Sequence, residues 1–173
     1  MLIPQVLNNF NVYNGNNNEK LIGVGDEVTL PDLTSVTSSL TGAGMLGSID
    51  VPVLGHFDSL ELDLPFKNLT EGNSSVMVVG EMVYIILRGS LQVTNSSTGN
   101  IEFQPARVSV KGYLKKIAAG RYKVADTMES SLGIEVNYLH ITANNKTLVK
   151  LDKLNCVYEL NGSDQISKIT KQC

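Results

Sequence analysis

Residues 82–93 read MVYIILRGSLQV, and their alternation is that of a long β-strand. Polar side chains occupy one face towards the C-terminal end of this segment, at Arg88, Ser90 and Gln92. The opposite face stays apolar and consists of Val83, Ile85, Leu87, Leu91 and Val93. A strand with one apolar and one increasingly polar face predicts an antiparallel sheet that covers a core on one side.

The same period of two recurs in three other segments. Residues 59–66, SLELDLPF, place four apolar side chains on one face and Glu61 and Asp63 on the other. Residues 107–115 and 132–138 alternate in the same way. We therefore predict a mainly β fold, either a β-barrel or a β-sandwich.

Helical signals are few and short. One short helix is predicted over Ser74–Val79, with Asn73 as its N-cap, and a second over Gln165–Thr170 within a C-terminal turn at residues 161–173. The sequence contains no repeat, charge block or interdomain linker. Residues 1–173 are therefore predicted to form a single domain, which is long enough to bury a core without metals or disulfides.

A long segment from Leu30 to Phe57 lacks an evident partner within itself. It is rich in Thr, Ser and Val, and it carries almost no charge after Asp32. Loops of this length in compact domains are commonly functional or disordered, and this composition suits a projecting β-hairpin arm at residues 34–47. The arm either buries its apolar side chains on another copy of the protein or folds back over its own barrel. Those side chains belong to Val36, Leu40, Met45 and Leu46.

Composition and motifs argue against several classes of function. The net charge of −3 and the pI near 5.4 argue against a nucleic-acid grip. His56 and His140, the only histidines, lie near no second group at catalytic or metal-ligand spacing. No glycine loop suits a phosphate, and no cluster of aromatic residues interleaves with basic ones as a stacking platform requires. The sequence predicts no enzyme, no metal and no cofactor.

The cysteines and the N-terminus bear on the compartment. Cys156 and the terminal Cys173 make a poor disulfide framework, so both are interpreted as free thiols in a reducing compartment. The N-terminus lacks a basic region and meets Pro4 at once, so no signal peptide is predicted. The longest apolar run, Met82–Leu87, is too short to span a bilayer, and no membrane insertion is expected.

Glu61 and Asp63 are the one carboxylate pair with a suggestive spacing. Two residues of strand rise place them about 7 Å apart, as in some glycosidases. A solvated strand face is the commoner arrangement, and the chain has no Trp to form a sugar platform, so catalysis is rejected. If copies of the chain surround a channel, the same carboxylates would repel a passing polyanion.

Taken together, several segments resemble, in their order and spacing, the major tail tube protein of contractile-tailed bacteriophages. No single segment is specific, but the likeness extends over nearly the whole chain. The segments are LNNFNVY at 7–13, EVTLPDLT at 27–34, GMLG at 44–47, VPVLG at 51–55, RGS at 88–90, KGYLKKI at 111–117, LDKLN at 151–155 and NGSDQI at 161–166.

The resemblance implies a β-barrel-like subunit that forms hexameric rings, stacked into a hollow tube inside a contractile sheath. Such a tube conducts DNA into the host cell and uses no cofactor. Residues 34–47 would form the contact between rings, and Glu61 and Asp63 would face the lumen. The implied partners are other copies of the chain, the sheath protein, baseplate, tail-terminator and tape-measure proteins, and DNA that passes without specific binding. The implied location is the virion tail, after assembly in the bacterial cytoplasm.

Three alternatives remain open at this point. The tube could belong to a phage-tail-like bacteriocin, which passes only ions. It could belong to a type VI secretion-like contractile injection system, which passes effectors. A third alternative, from a different class, is a monomeric β-barrel that binds a small ligand inside.

Overall fold

A computed structural model describes residues 1–173 and confirms a mainly β, antiparallel fold. The four long alternating segments are all strands, and the strand predicted over residues 107–115 extends to 18 residues. The strands are β1 (Leu2–Asn14), β2 (Glu19–Lys20), β3 (Ser35–Leu40), β4 (Ile49–Phe57), β5 (Glu61–Phe66), β6 (Met82–Asn95), β7 (Ile101–Ala118), β8 (Ser130–Ala143), β9 (Lys146–Asp152), β10 (Val157–Leu160) and β11 (Ser163–Asp164).

Nine of these strands form one antiparallel sheet in the order β2-β1-β6-β7-β8-β9-β10-β11, with β5 attached to β8. Strand β8 has two partners along one edge. Its first part, Ser130–Glu135, pairs with β5, whereas Tyr138–Ala143 pairs with β9. The sheet therefore divides at β8, and β5 can turn back over the apolar face of the other strands.

Segment 21–29 closes the barrel on the far side of β5. The Gly25 N–H donates to the Pro65 carbonyl at 2.8 Å, and the Lys67 N–H donates to the Gly23 carbonyl at the same distance. At the start of this segment, the Leu21 N–H donates to the β1 carbonyl of Val12 at 2.9 Å. The ring β1–β6–β7–β8–β5 is thus completed without an open edge on the core side.

The core fills this barrel and follows the predicted alternation. The apolar face of β5 is buried, and its polar face, with Glu61 and Asp63, is exposed. Aliphatic side chains of β6, β7 and β8 pack against it from the other side. The buried cluster contains Val12, Leu21, Leu60, Leu62, Leu64, Phe66, Val76, Val83, Ile85, Leu87, Val110, Leu132, Ile134, Val136, Leu139 and Leu151.

Both helix predictions differ from the structure. In place of an α-helix over Ser74–Val79, the chain forms a 3-10 helix over Glu71–Val76 with no side-chain cap. The predicted cap Asn73 is instead buried inside this 3-10 helix, where its side-chain amide donates to the Asn68 carbonyl. At the C-terminus, α1 covers only Ser167–Thr170, since the Gln165 N–H donates to the Tyr158 carbonyl and the Ile166 N–H donates to the Asp164 side chain. No helix has the length and apolarity needed to cross a membrane.

Candidate assembly surfaces

The predicted arm, residues 34–47, contains β3 and the turn of the β3–β4 hairpin, but the hairpin is longer than predicted because its second strand is β4 (Ile49–Phe57). The hairpin forms a two-stranded sheet of its own. It leaves the barrel at Thr34 and returns at Asp58, where the Asp58 N–H donates to the Thr34 carbonyl at 3.0 Å. Leu40 lies opposite Ile49 in the antiparallel register. Neither strand pairs with the barrel, so the hairpin is not folded back as an added strand.

One face of the arm is apolar and open to solvent. Alternation along β3 places Val36 and Leu40 on the same face, and pairing adds Ile49 and Val51 from β4. The Leu40 and Ile49 side chains are each 54% exposed. No other element of the chain covers this face. The apolar face of the arm therefore has the composition and exposure of a protein–protein interface whose partner is absent.

The other two predicted contact residues lie in the turn at the tip of the arm. Gly44 and Gly47 have φ of +91° and +123° there, a backbone region that side chains rarely adopt. This turn leaves Leu46 fully exposed and Met45 half-buried. The four residues predicted for the contact between rings thus lie on one arm, and that role stays a prediction.

The base of the arm is fixed to the barrel. The ring of Phe57 packs edge-on against the ring of Tyr158 on β10, with 4.9 Å between centroids. The Lys153 ammonium donates to the Asp58 carbonyl at 2.9 Å. A groove of about 460 Å³ runs between the arm base, β10 and α1, and both Cys156 and Cys173 line it as free thiols. The arm is therefore anchored beside β10.

A second apolar groove, of about 380 Å³, lies beside β1 and shares no lining residue with the first. Its walls come from β1, β6, β7 and the segment before the arm, and Asp26 and Glu27 form part of its rim. The apolar wall includes Leu7, Phe10, Val28, Leu30, Leu87, Leu91 and Val108. The arm and this groove are therefore two separate unpartnered apolar surfaces of one chain.

Glu61 and Asp63 lie on the outer face of the barrel, but in different surroundings. Glu61 pairs with Lys115 at 3.1 Å, and the same ammonium reaches Glu135 at 3.3 Å. Asp63 makes no ion pair, and its backbone bridges to Thr29. The pairing with Lys115 could not be read from the sequence, because β7 and β5 meet only through β8.

The Lys115 network fixes the ionisation of its members. Hydrogen bonds to Glu61 and then Glu135 raise the pKa of the Lys115 ammonium. Partial burial opposes ionisation of Glu135, but hydrogen bonds from Ser59, at 2.6 Å, and from Lys115 outweigh it and lower the pKa of this carboxyl. Lys115 and Glu135 are therefore both charged near neutral pH.

The expectation that aromatic and basic residues do not cluster is wrong for the folded chain. Tyr84, Lys111 and Tyr138 are cross-strand neighbours, and the Lys111 ammonium lies 4.8 Å and 5.3 Å from the two ring centroids. The Arg88 guanidinium lies 4.5 Å from the centroid of Tyr13. We call this surface the basic face, defined by Tyr13, Tyr84, Arg88, Arg107, Lys111 and Tyr138.

His140, which was predicted to lie in a strand, borders the basic face, and the nearby positive charges affect its pKa. Its ring nitrogen Nε2 is 3.1 Å from the Thr147 hydroxyl. Burial, followed by the positive charges of Lys150 and Arg107, lowers the pKa of His140. The imidazole is therefore neutral near pH 7. His56, in contrast, is exposed on the arm, where it lines the groove at the arm base together with Cys156 and Cys173.

Comparison with known proteins gives a family match over nearly the whole chain. The family model described as phage tail tube protein FII matches residues 4–172. The tail tube protein of Escherichia phage P2 is 30% identical over 174 residues, covering 97% of this chain and 96% of the relative. The major tail tube protein of Serratia phage KSP20 is 25% identical over 175 residues, covering 95% and 92% of the two chains.

Two solved structures share the fold. One is a sheath–tube complex of an extracellular contractile injection system, PVC, in the extended state, with a TM-score of 0.53, 15% identity and coverage of 81% of this chain and 92% of that one. The other is the sheath/tube terminator of the same kind of system, with a TM-score of 0.53, 14% identity and coverage of 80% and 96%. At these identities the likeness concerns the fold alone.

Proposed function

Since the chain belongs to the phage tail tube protein FII family, we propose that its subunits assemble into hexameric rings that stack into the inner tube of a contractile tail and conduct DNA into the host cell. The observation that carries this proposal is the arm, whose apolar face has no partner within its own chain. At about 25 cal/mol per Å² of apolar area, burial of a few hundred Å² per subunit gives a strong joint once it is repeated around a ring.

The positions of the two apolar surfaces favour an open polymer over a closed dimer. The arm is anchored beside β10, and the second apolar groove lies beside β1. A contact between two different surfaces is heterologous, and such contacts generate rings or helical tubes when repeated. We infer that residues 34–47, with Val36, Leu40, Met45 and Leu46, join one ring to the next.

The sheet edges supply a second kind of contact, within a ring. Strand β1 pairs with β2 only at Tyr13 and Asn14, which leaves the edge of Leu2–Val12 without a strand partner. At the opposite end of the sheet, β10 carries only the two-residue β11. Exposed edges invite pairing with another chain, and pairing six subunits edge to edge would close a large barrel with no edge left.

The inside of the large barrel formed by six subunits, and not the packed core of one subunit, would be the DNA channel. We assign Glu61 and Asp63 to the lumen, where carboxylates would discourage a passing polyanion from adhering. Pairing with Lys115 reduces the effect of Glu61, so Asp63 would carry more of it. We expect the sheath protein around the tube, the terminator and baseplate proteins at its ends, and the tape-measure protein along its axis. The virion tail would be assembled in the host cytoplasm.

Deleting residues 35–45 tests the role of the arm. The deletion removes β3 and most of the tip but leaves the barrel strands intact. We expect soluble subunits or single rings that do not stack, seen by negative-stain electron microscopy. Tubes of normal length from this variant would contradict the proposal.

A matched pair of point variants separates the apolar face from the hairpin itself. Leu40→Asp places a charge on the apolar face, whereas Thr37→Asp places one on the opposite face of the same strand, across from the uncharged Pro52. We expect the first to abolish stacking and the second to leave most of it. Equal loss in both variants would mean that the whole hairpin, and not its apolar face, makes the contact.

A tube of a phage-tail-like bacteriocin or injection system is the second candidate, because the fold is shared with a contractile injection system. The two candidates differ in what passes through the lumen. Particles purified from the producing cells would carry a DNA-filled capsid in the first case and none in the second.

A further inference from the structure

We propose that the basic face binds the phosphodiester backbone of DNA through Arg88, Arg107 and Lys111. This inference rests on the proposed function, in which DNA passes along the assembled subunits. The basic face lies on the outer side of β6 and β7, and it is a different surface of the subunit from the outer face of β5, which carries Glu61 and Asp63.

The three cations are unpaired and held in position. None of them takes part in an ion pair with a carboxylate. Arg88 lies over Tyr13 and donates through Nη2 to the Asn18 side-chain oxygen at 2.7 Å. Arg107 donates through Nε to the Ser109 hydroxyl at 3.3 Å. Side chains ordered in this way lose little conformational entropy on binding an anion.

Lys111 is held by aromatic rings instead of a hydrogen bond. It lies between Tyr84 and Tyr138, within cation–π distance of both rings. Burial raises the pKa of Tyr138, so this ring stays neutral and presents no competing charge. The Lys111 residue is half-buried, and no carboxylate forms an ion pair with it.

The register of the strands adds an independent argument. Arg88 and Arg107 are directly opposite each other on β6 and β7. Like charges at directly opposed positions destabilise a sheet, and a bound anion would relieve this repulsion. Each guanidinium also keeps free N–H donors, which match the oxygens of a phosphate group.

The acidic residues near the basic face are already engaged. Glu159 pairs with Lys150 at 3.3 Å. The Asp152 carboxylate accepts the N–H groups of Leu154 and Asn155 and so caps the turn after β9. The face therefore keeps an excess of positive charge in a chain whose net charge is −3.

The shape of the site favours an extended polyanion. The cations are spread over two neighbouring strands, and Arg107 and Lys111 lie about 13 Å apart along β7 by strand rise. A flat, extended surface of this kind can contact successive phosphates of a backbone. Few contacts per subunit also suit DNA that must move, because each contact is weak and screened by salt.

The test is the salt dependence of DNA binding by the purified full-length protein. The probe is a fluorescein-labelled random-sequence duplex, and the measurement is fluorescence anisotropy between about 50 and 200 mM NaCl. Three phosphate contacts predict a logarithmic slope of about −2.7, which is a loss of about 40-fold over this range. In Lys111→Gln the slope should become about −1.8, a loss of about 12-fold.

Lys168→Gln is the matched control, because Lys168 is exposed on α1, makes no ion pair and carries the same charge. It should keep the wild-type slope. If Lys111→Gln folds poorly by circular dichroism, Arg107→Gln replaces it with the same expected change. Equal slopes in wild type and the basic-face variant, or an equal change in Lys168→Gln, would overturn the proposal.

Two further measurements distinguish a phosphate ligand from an acidic protein partner, and this inference from the proposed tube. An acidic polyglutamate peptide that competes away all bound DNA at equal charge concentration would overturn the phosphate assignment in favour of an acidic protein partner. Electron microscopy of the same samples reports tube formation independently. If tubes form but Lys111→Gln does not change the salt slope of DNA binding, only this inference is refuted. If the slope changes but no tubes form, the proposed tube function is refuted instead.

Discussion

The barrel and the arm are built from the same kinds of aliphatic residue, yet they differ in where those residues find partners. In the barrel, Ile134 and Leu62 are fully buried among side chains of the same chain. In the arm, Ile49 and Leu40 occupy the same kind of strand and remain more than half exposed. The barrel therefore encodes the stability of one subunit, whereas the arm encodes association between subunits.

This difference predicts that mutations of similar size will have separate effects in the two regions. A truncation in the barrel leaves a cavity that its neighbours cannot fill, and the free energy of unfolding of the subunit falls. A truncation in the arm removes surface that water already covers, and only the assembly is affected. Each prediction below tests this separation.

The largest effect is expected for Ile134→Ala in β8. Ile134 is 0% exposed and lies at the centre of the buried cluster. Truncation should lower the free energy of unfolding by about 2–5 kcal/mol, the range for buried aliphatic residues. The measurement is chemical denaturation of the subunit, under conditions in which it does not assemble.

Ile49→Ala is the matched control for this change, because it removes the same atoms from the arm. It should alter the free energy of unfolding by no more than about 0.5 kcal/mol while it weakens tube formation. A large loss of subunit stability in Ile49→Ala would mean that the arm packs against its own barrel in solution. The separation between the two regions would then be wrong.

A smaller effect is expected for Phe57→Ala, at the joint between the regions. Phe57 is half-buried and contributes to the core cluster through its edge-on contact with Tyr158. We expect a loss of about 1–3 kcal/mol, less than for a fully buried ring, and a less firmly anchored arm. Limited proteolysis should cut the variant within residues 35–57 faster than the wild type.

Tyr158→Phe keeps the ring at this contact and serves as the control. It should leave both the free energy of unfolding and the cleavage rate near the wild-type values. Unchanged cleavage in Phe57→Ala would show that Lys153, which binds the Asp58 carbonyl, is enough to hold the arm.

The barrel strands could be predicted from the sequence because alternation is a local property. The apolar face of residues 59–66 is sufficient to place β5 and to put Glu61 and Asp63 outside. The resemblance to tail tube proteins is also confirmed, by a family match over residues 4–172. Ser74–Val79 failed as a helix because three valines give it little helical preference, and the buried Asn73 fixes a 3-10 turn instead.

The surfaces were harder to predict, because they join residues that are distant in sequence. The closure through segment 21–29 depends on backbone hydrogen bonds with no side-chain pattern. The basic face takes Tyr13, Tyr84, Lys111 and Tyr138 from four different strands, so no window of sequence contains it. The arm was predictable because its apolar content and its lack of charge lie within one continuous segment.

The smallest effect is expected for Glu135→Gln, in the charged network on the barrel's outer face. The pKa of Glu135 lies below its ordinary value of 4.5, because hydrogen bonds from Ser59 and Lys115 outweigh partial burial. The carboxylate therefore stabilises the fold above about pH 4.5, and this contribution is lost as the pH falls through the lowered pKa. Lys115, whose pKa is raised above 10.5, loses its contribution only as the pH rises through that raised pKa.

Thermal unfolding of wild type and Glu135→Gln at several pH values measures this contribution. Near pH 7 the variant should melt only about 1–3 °C lower, since exposed ion pairs contribute little, and the difference should shrink towards pH 3. High salt should reduce the difference as well. A difference that persists at pH 3 would mean that Glu135 acts through packing. Because the arm carries none of these groups, tube formation at neutral pH should be the same in both proteins. A loss of tubes in Glu135→Gln would mean that the outer face of the barrel also takes part in assembly.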